Sequence, residues 1–269
     1  MLKGETDEEV FFSTYLCHPS LANNELSGPL LTAFLYKKIA SLSKRRYTYR
    51  FVVVPEAIGA ICYLSLRGAH LKKKLKAGYV VTCVGDSGPF TYKTSRDANT
   101  LADRAVKLIL QDLGKHTIVP FFPNGGSDER QYCSPGFNLP VGSLMRTMYG
   151  KYPEYHTSLD NKKFISFDAL LGSLRAYEAI VQALEANETW CGTVLYGEPQ
   201  LGKRGLYPKI GKRDGMKERL SAMMWLLNLA DGTKDIFEIA EYSRMSIGLL
   251  ISIAGELSKA GLLKKSDGF

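Results

Sequence analysis

Short apolar segments alternate with longer amphipathic segments from the start of the chain. The apolar segments predict β-strands, and the segments with apolar residues at helical spacing predict α-helices. Strands are predicted at 10–16, 50–54, 79–84 and 139–144, and helices at 28–42, 58–67, 99–113 and 168–186. Because short apolar strands joined by helices form parallel sheets, we predict an α/β domain built on a mostly parallel mixed sheet with helices on both faces.

The pattern changes after about residue 187. Residues 191–214 are rich in Gly, Lys and Pro and lack periodicity, which is typical of a linker. Helices are then predicted at 215–229, 236–242 and 246–260, followed by a short apolar segment at 261–263. This order indicates a small winged helix-turn-helix domain over 215–269, after a first domain over 1–190.

Composition restricts the class of protein. A hydrophobic content of 45% is ordinary for a soluble domain, and no apolar segment is long enough to span a bilayer. The acidic start of the chain lacks the apolar core of a signal peptide. The five cysteines are scattered, odd in number and without a C-x-x-C pair, which favours a reducing compartment. We therefore expect a cytoplasmic protein that does not associate with a membrane.

Four candidate metal ligands follow predicted strands or precede the last long helix of the first domain. His18, Glu56 and Asp86 come directly after three strands, and His156 lies in a turn-rich segment before helix 168–186. The carboxyl ends of strands are where an α/β sheet presents its functional groups. Histidine and carboxylate side chains are zinc ligands, so the four predict a zinc site. Helix capping remains the alternative role for the two carboxylates.

Five segments together resemble the co-catalytic zinc aminopeptidases, whose relatives include glutamate carboxypeptidase and glutaminyl cyclase. The resemblance is closer to an uncharacterised bacterial aminopeptidase-like family that carries a C-terminal winged helix and often accompanies polysaccharide-biosynthesis genes. The segments, within about 8–187, are HPSLANNELSGP, VVPEAIGAICYLS, VTCVGD, GGSDERQYCSPGFNLPV and YPEYHTSLD. The resemblance implies the zinc aminopeptidase (phosphorylase-like) fold and hydrolysis of an amide bond.

The resemblance also assigns metal ligands by position. His18 and Asp86 would bind one zinc ion and His156 a second. The position of the bridging carboxylate falls on Asn24, within Asn24–Gly28. A neutral amide binds zinc poorly and cannot hold two cations about 3.5–4 Å apart as an anion can. We therefore expect one or two zinc ions, with the second site weakened.

Three further residues receive roles from the resemblance. Aligned on the glycine of the Glu-Glu-x-Gly pattern, Glu56 is the general base and Ala57 occupies a ligand position; a one-residue shift would make Glu56 the ligand, and both alignments stay open. Tyr155 would stabilise the oxyanion of a tetrahedral intermediate. Asp128 would contact the substrate amine or support the site from behind. Simple packing and ion pairing are the alternatives.

These observations favour a metallo-aminopeptidase or a related amidohydrolase that acts on a peptide or another small amide. Because of Asn24 and Ala57, a degenerate binding or scaffold protein with the same fold is the alternative. A DNA-binding regulator is a third reading, suggested by the winged helix and the net charge of +8. The predicted recognition helix 246–260 is nearly all apolar, so we do not expect specific nucleic-acid binding.

The first predicted strand begins close to residue 1, whereas the zinc aminopeptidase fold places a helix and a strand pair before it. We therefore expect the first domain to be incomplete at its N-terminus. The strand at 10–16 would then expose an apolar edge that invites pairing with another chain. We therefore expect that homo-oligomers form either through this exposed first strand or through the winged helix.

Overall fold

The computed structural model describes residues 1–18, 20–122, 125–206 and 215–266. Two compact units divide the chain, Met1–Val181 and Gln182–Phe269. Pro19 of the first motif, residues 207–214 of the predicted linker and the final residues 267–269 lie outside the described part. None of the helices in that part is long and apolar enough to cross a membrane.

The first unit is built on a six-stranded mixed sheet with the order β2-β1-β3-β6-β4-β5. Strands β2, β1, β3 and β6 are parallel, and β4 joins β6 in the antiparallel direction with β5 parallel to β4. The strands are β1 (Glu9–Tyr15), β2 (Thr48–Val54), β3 (Leu75–Val80), β4 (Phe90–Lys93), β5 (His116–Val119) and β6 (Val141–Met145). The predicted mostly parallel mixed sheet is confirmed.

Helices cover both faces of this sheet. The helices are α1 (Ser27–Ala40), α2 (Ile58–Lys74), α3 (Leu101–Leu113), α4 (Glu129–Tyr132) and α5 (Phe167–Ala186). Successive residues of β1 alternate between the two faces. Phe11 packs against Tyr63 of α2 and Tyr132 of α4, whereas Phe12 packs against Tyr177 of α5. The sheet therefore lies between two layers of helices, and β1 contacts both layers.

The prediction that the first strand is exposed was wrong. All seven residues of β1 are buried, because β2 pairs with one edge and β3 with the other. The outer strand on this side is β2, and Leu2 pairs with Tyr49 on its free edge. The exposed apolar side chains near β1 include Val53 of β2 and Ile58, Ile61 and Leu66 of α2. Strand β1 therefore has no free edge at which another chain could pair.

Several element boundaries differ from the prediction. The strand expected at 79–84 is β3, which ends at Val80 although Val81–Val84 are also buried. Cys83 has φ of +50°, which is incompatible with a continuing strand. Strands β4 and β5 were not predicted, because each has only four residues and β5 is half-exposed.

The second unit is a winged helix with a three-stranded antiparallel sheet. Its elements are β7 (Thr189–Gly192), α6 (Met216–Leu229), β8 (Asp231–Asp235), α7 (Ile236–Ser243), α8 (Ile247–Lys259) and β9 (Leu263–Lys265). The central strand is β7, with β8 and β9 on either side. Residues 191 and 192, which the prediction gave to the linker, thus belong to this sheet. Both tryptophans of the chain, Trp190 and Trp225, lie in this unit.

Candidate metal and catalytic site

The candidate site lies where β1 and β2 end. Cys17 and His18 follow β1, and Glu56 follows β2 after Pro55. Because the two strands are parallel and paired in register, their carboxyl ends place these side chains next to one another. His156 reaches the same place from the loop between β6 and α5. Its ring centroid lies 4.5 Å from that of His18.

His18 is oriented by a carboxylate seven residues further on. Its Nδ1 lies 2.9 Å from Oε1 of Glu25, and Oε2 of Glu25 accepts the backbone N–H of Cys17 at 2.6 Å. A carboxylate oxygen accepts hydrogen bonds, so Nδ1 of His18 is the donor in this pair and Nε2 is the ring nitrogen left for another partner. A carboxylate behind a histidine is the usual support for a metal-binding imidazole. Glu25 stands behind His18 in the position of such a support.

The second histidine is held against a tyrosine. The ring of His156 stacks on that of Tyr155 with centroids 3.9 Å apart and an interplanar angle of 17°. The backbone of His156 is left-handed, with φ of +57°, a conformation that costs free energy in a residue other than glycine. Burial raises the pKa of Tyr155 to about 12, helped by the acidic groups of Cys83 and Glu56. The phenol therefore stays protonated at neutral pH and can donate a hydrogen bond.

Glu56 is positioned by a pair of residues before α4. The hydroxyl of Ser127 donates to Oε1 of Glu56 at 2.8 Å, and Oδ1 of Asp128 accepts the backbone N–H of Ala57 at 2.7 Å. Ala57 has φ of +57° and ψ of −66°, which is a strained conformation for alanine. The hydrogen bond from Ala57 to Asp128 thus holds the strained turn that points Glu56 into the site.

Asp128 lies too deep to contact a substrate. Its side chain is fully buried, and Oδ2 accepts no hydrogen bond from the described residues. Burial raises the pKa of Asp128 to about 7; the hydrogen bond from Ala57 opposes this shift, and the charge of Glu56 adds to it. Of the two roles open for Asp128, the geometry favours support of the turn over a contact with a substrate amine.

Asn24 presents an unpaired oxygen at the expected bridging position. Its Nδ2 faces two acceptors, the hydroxyl of Tyr15 at 3.2 Å and Sγ of Cys83 at 3.8 Å. Its Oδ1 is buried and has no hydrogen-bond partner in the described part of the chain. A buried oxygen without a partner is rare in folded proteins and indicates a missing partner such as a cation or water. A neutral amide oxygen is a weak zinc ligand.

Asp86 belongs to a separate hydrogen-bond network. Its Oδ1 accepts from the backbone N–H of Gly88 at 2.8 Å and the hydroxyl of Thr147 at 2.6 Å. Its Oδ2 accepts from the side-chain amide of Asn23 at 3.0 Å and the backbone N–H of Thr147 at 3.1 Å. Both oxygens are thus occupied as acceptors. The structure does not bring Asp86 into the cluster formed by the other expected ligands.

The segment that carries Asn23, Asn24 and Glu25 is a π-helical turn, Ala22–Leu26, that runs directly into α1. Its N-terminal end is held by Asp160, which is fully buried. The two oxygens of Asp160 accept the backbone N–H groups of Asn23 at 2.6 Å and Asn24 at 3.0 Å. Asp160 is the last residue of the motif YHTSLD, so one segment supplies both His156 and the anchor for Asn24.

Three ligand atoms converge among the described residues. Sγ of Cys17, a ring nitrogen of His18 and a carboxylate oxygen of Glu56 lie within 4.8 Å of one another. Around a tetrahedral zinc ion such atoms would be about 3.4–3.6 Å apart, so small side-chain rotations suffice. The residues present therefore fit a zinc ion, although Cys17 and Glu25 were not among the predicted site residues.

A cavity of about 620 Å³ opens beside His18. Leucine side chains form much of its wall, and polar groups are confined to a few positions. The lining includes Leu16, Leu21, Leu26, Glu25, Asn161 and Lys162. Apolar cavities with a few polar groups are the usual form of small-molecule sites. The cavity is large enough for an amino-acid-sized group next to the candidate metal ligands.

Comparison with known proteins agrees with this fold. A protein of Clostridium acetobutylicum, named for polysaccharide biosynthesis and an aminopeptidase-like domain, is 42% identical over 264 residues. The match covers 98% of this chain and 60% of that protein, so the chain spans about three-fifths of this relative. A crystal structure of a C. acetobutylicum protein described as a peptidase superimposes with a TM-score of 0.89 at 40% identity. It covers 98% of this chain and 59% of the other.

More distant structures share the fold of the first unit. A zinc aminopeptidase from Bacillus subtilis matches 68% of this chain and 47% of its own, with a TM-score of 0.57 at 16% identity. The expected resemblance to the zinc aminopeptidase fold is confirmed. Residues 188–265 match a winged helix-turn-helix family, and residues 1–187 match the family described as a domain of unknown function, DUF4910. The chain therefore belongs to the DUF4910 family, with a winged helix-turn-helix after its aminopeptidase-like domain.

Proposed function

We propose that this chain carries the metal site of a zinc-dependent, aminopeptidase-like hydrolase that cleaves an amide bond. The observation that carries the proposal is the convergence of Cys17, His18 and Glu56 at the ends of two parallel strands, with the ring of His156 beside them. Supporting it is the fold, which is shared with zinc aminopeptidases. The chain spans about three-fifths of its relative, so the activity of the whole protein is part of this proposal.

Four side chains of the candidate site have roles in the proposed reaction. A zinc ion, when bound, supplies Lewis acidity that polarises the amide carbonyl and acidifies water. Glu56 accepts the proton of the attacking water, whose oxygen bonds to the carbonyl carbon, and passes that proton to the leaving amine as the C–N bond breaks. Ser127 and Asp128 hold Glu56 in place. Tyr155 donates a hydrogen bond to the oxyanion.

The substrate class follows from the cavity and from the relative. The cavity beside His18 suits a small amide with an apolar side chain. The name of the Clostridium relative refers to polysaccharide biosynthesis, so amides of amino sugars belong in the same test as aminoacyl amides. Both classes contain the carbonyl and nitrogen that the proposed chemistry requires.

The test combines metal analysis with an assay on aminoacyl-anilides and N-acylated amino sugars. We expect bound zinc, hydrolysis of one substrate class, and a fall in kcat of about 10²–10⁴-fold in Glu56→Gln at unchanged zinc content. Glu198→Gln, an exposed glutamate of the second unit, is the matched control and should leave kcat unchanged. Failure to bind zinc, or equal kcat in the Glu56 variant and the control, would contradict the proposal.

A binding protein with the same fold is the second candidate. It is favoured by Asn24 and Ala57, which stand where the aminopeptidase pattern places carboxylates. Zinc binding without turnover of any substrate in the panel, together with substrate-dependent changes in thermal stability, would favour this candidate over the hydrolase.

A further inference from the structure

The ligand set of the zinc aminopeptidase pattern is incomplete in this chain. The bridging position is the neutral Asn24, and a second ligand position is Ala57. Asp86 already accepts hydrogen bonds on both oxygens. An anionic ligand from outside that pattern, such as a thiolate, would complete a site at His18.

Cys17 is placed to supply this anion. It follows β1 directly, its side chain is exposed, and it forms no disulfide. Its sulfur lies within 4.8 Å of the ring nitrogen of His18. The Glu25 carboxylate accepts hydrogen bonds from the backbone N–H of Cys17 and from Nδ1 of His18. A single buried group therefore positions both residues.

Thiolate is a strong zinc ligand, and it occurs with histidine in catalytic as well as structural zinc sites. The other four cysteines do not compete for this role. Cys83 and Cys133 are buried, Cys191 lies in the second unit, and Cys62 is exposed on α2. Cys17 is the one cysteine that belongs to a cluster of three ligand atoms in the described ranges of the chain.

We propose that the Cys17 thiolate and the His18 imidazole bind the same metal ion, with Glu56 facing that ion as the proton acceptor. This inference rests on the proposed function, because it names a ligand of the same metal. It predicts a site with nitrogen and sulfur ligands in place of the carboxylate-rich site of the aminopeptidase pattern. Binding of the ion releases the thiol proton to solvent.

The first test is spectroscopic. Co²⁺ replaces zinc in such sites, and a cobalt–thiolate bond gives an intense charge-transfer absorption in the near ultraviolet that nitrogen and oxygen ligands do not give. We expect this absorption in the wild-type protein and its loss in Cys17→Ser. Cys62→Ser removes the other exposed cysteine and is the matched control, which should retain the absorption.

The second test measures access to the thiol. The full chain is treated with an alkylating reagent with and without saturating zinc, and modification of each cysteine is followed by mass spectrometry. Zinc should protect Cys17 at least about tenfold and leave Cys62 unprotected, and His18→Ala should remove the protection. Cys17→Ser should weaken zinc binding by more than the roughly 10–100-fold expected when an outer-shell partner is lost.

The outcomes separate the two proposals. Stoichiometric cobalt or zinc binding without the thiolate absorption, and with equal alkylation of Cys17 in both conditions, would overturn the role of Cys17 and leave the hydrolase proposal standing. Absence of any metal binding to the wild-type protein would overturn both. Thiolate absorption that persists in Cys17→Ser and disappears in Cys62→Ser would identify Cys62 as the sulfur ligand and reject the inference.

Discussion

Two buried carboxylates, Glu25 and Asp128, shape the candidate site without being proposed metal ligands. Glu25 holds Nδ1 of His18, and Asp128 holds the strained turn at Ala57. Asp128 lies 71 residues along the chain from Ala57, and Glu25 lies in a turn seven residues after His18. Single residues of this kind set the direction of the reacting groups, which is why substitutions behind a metal site can weaken it strongly.

Asn24→Asp tests the number of metal ions at the scale of one residue. A carboxylate at this position can hold two cations about 3.5–4 Å apart, which the amide cannot. We expect the wild-type protein to bind at most one zinc ion tightly and the variant to bind more zinc and hydrolyse faster. Elemental analysis after dialysis gives the zinc content per chain.

Asn161→Asp is the control for Asn24→Asp. Asn161 lines the cavity beside His18, and its Oδ1 accepts the backbone N–H of Lys163, so the substitution adds the same charge without a new ligand. Its zinc content should equal that of the wild type. Two tightly bound zinc ions in the wild-type protein would show that the argument about the amide is wrong.

The sequence indicated part of this site at the residue scale. The placement of His18 and Glu56 after strands, and the motif around His156, predicted that they would meet, and the two histidine rings lie 4.5 Å apart. The network around Asp86 could not be predicted, since its partners Asn23 and Thr147 are about 60 residues away in either direction. Cys17 could have been noticed, because it directly precedes His18.

At the scale of elements, the π-helical turn Ala22–Leu26 is the feature that distinguishes this site from an ordinary strand–helix connection. The wider turn presents consecutive residues to different partners: Asn23 to Asp86, Asn24 to Tyr15 and Glu25 to His18. Such turns are rare and are often found at functional sites. Its start depends on Asp160, which accepts two of the free N–H groups.

Asp160→Asn tests this anchor. The amide can replace only one of the two acceptors, and its NH₂ group would face a backbone N–H. We expect the free energy of unfolding to fall by about 1.5–3 kcal/mol, the range for a hydrogen bond to a buried charged group. Urea unfolding followed by far-ultraviolet circular dichroism measures the change.

The comparison for Asp160 is Asp168→Asn in the first turn of α5. Asp168 is exposed, so only its interaction with the helix dipole is lost, about 0.3–1 kcal/mol. Similar losses in the two variants would mean that Asp160 does not anchor the turn.

Elements with a strong period were predicted, and short ones were not. Helix α3 is amphipathic and begins with a capping box formed by Thr100 and Asp103, so its start could be inferred within two residues. Strands β4 and β5 have four residues each, too few for a pattern. The exposed edge expected for β1 is absent from the described structure, because β2 and β3 pair with its two edges.

At the scale of the whole molecule, the winged helix raises the question of nucleic-acid binding. Helix α8 buries Ile247, Leu250, Ile253 and Leu257 against its own unit. Its exposed residues are Gly248, Ser252 and Lys259, and its Glu256 pairs with Arg219 at 2.7 Å. This surface offers few side chains that read base edges. A role in protein contact remains our prediction for the unit.

Binding of the full chain to labelled DNA duplexes tests this prediction. We expect weak binding that does not distinguish a duplex from its scrambled sequence, because the attraction comes from the net charge of +8 alone. The affinity, measured by fluorescence anisotropy, should fall steeply between about 50 and 200 mM salt. Sequence-selective binding that survives this increase in salt would support the regulator hypothesis instead.

The position of the two tryptophans decides how such variants must be studied. Trp190 lies in β7 and Trp225 in α6, so tryptophan emission comes entirely from the winged helix. A fluorescence melt would record the loss of that unit and would miss the first one, which holds the candidate metal site. Tyrosine circular dichroism is the better probe there, because Tyr15, Tyr79, Tyr92 and Tyr132 are all fully buried in the first unit. Zinc should shift that signal.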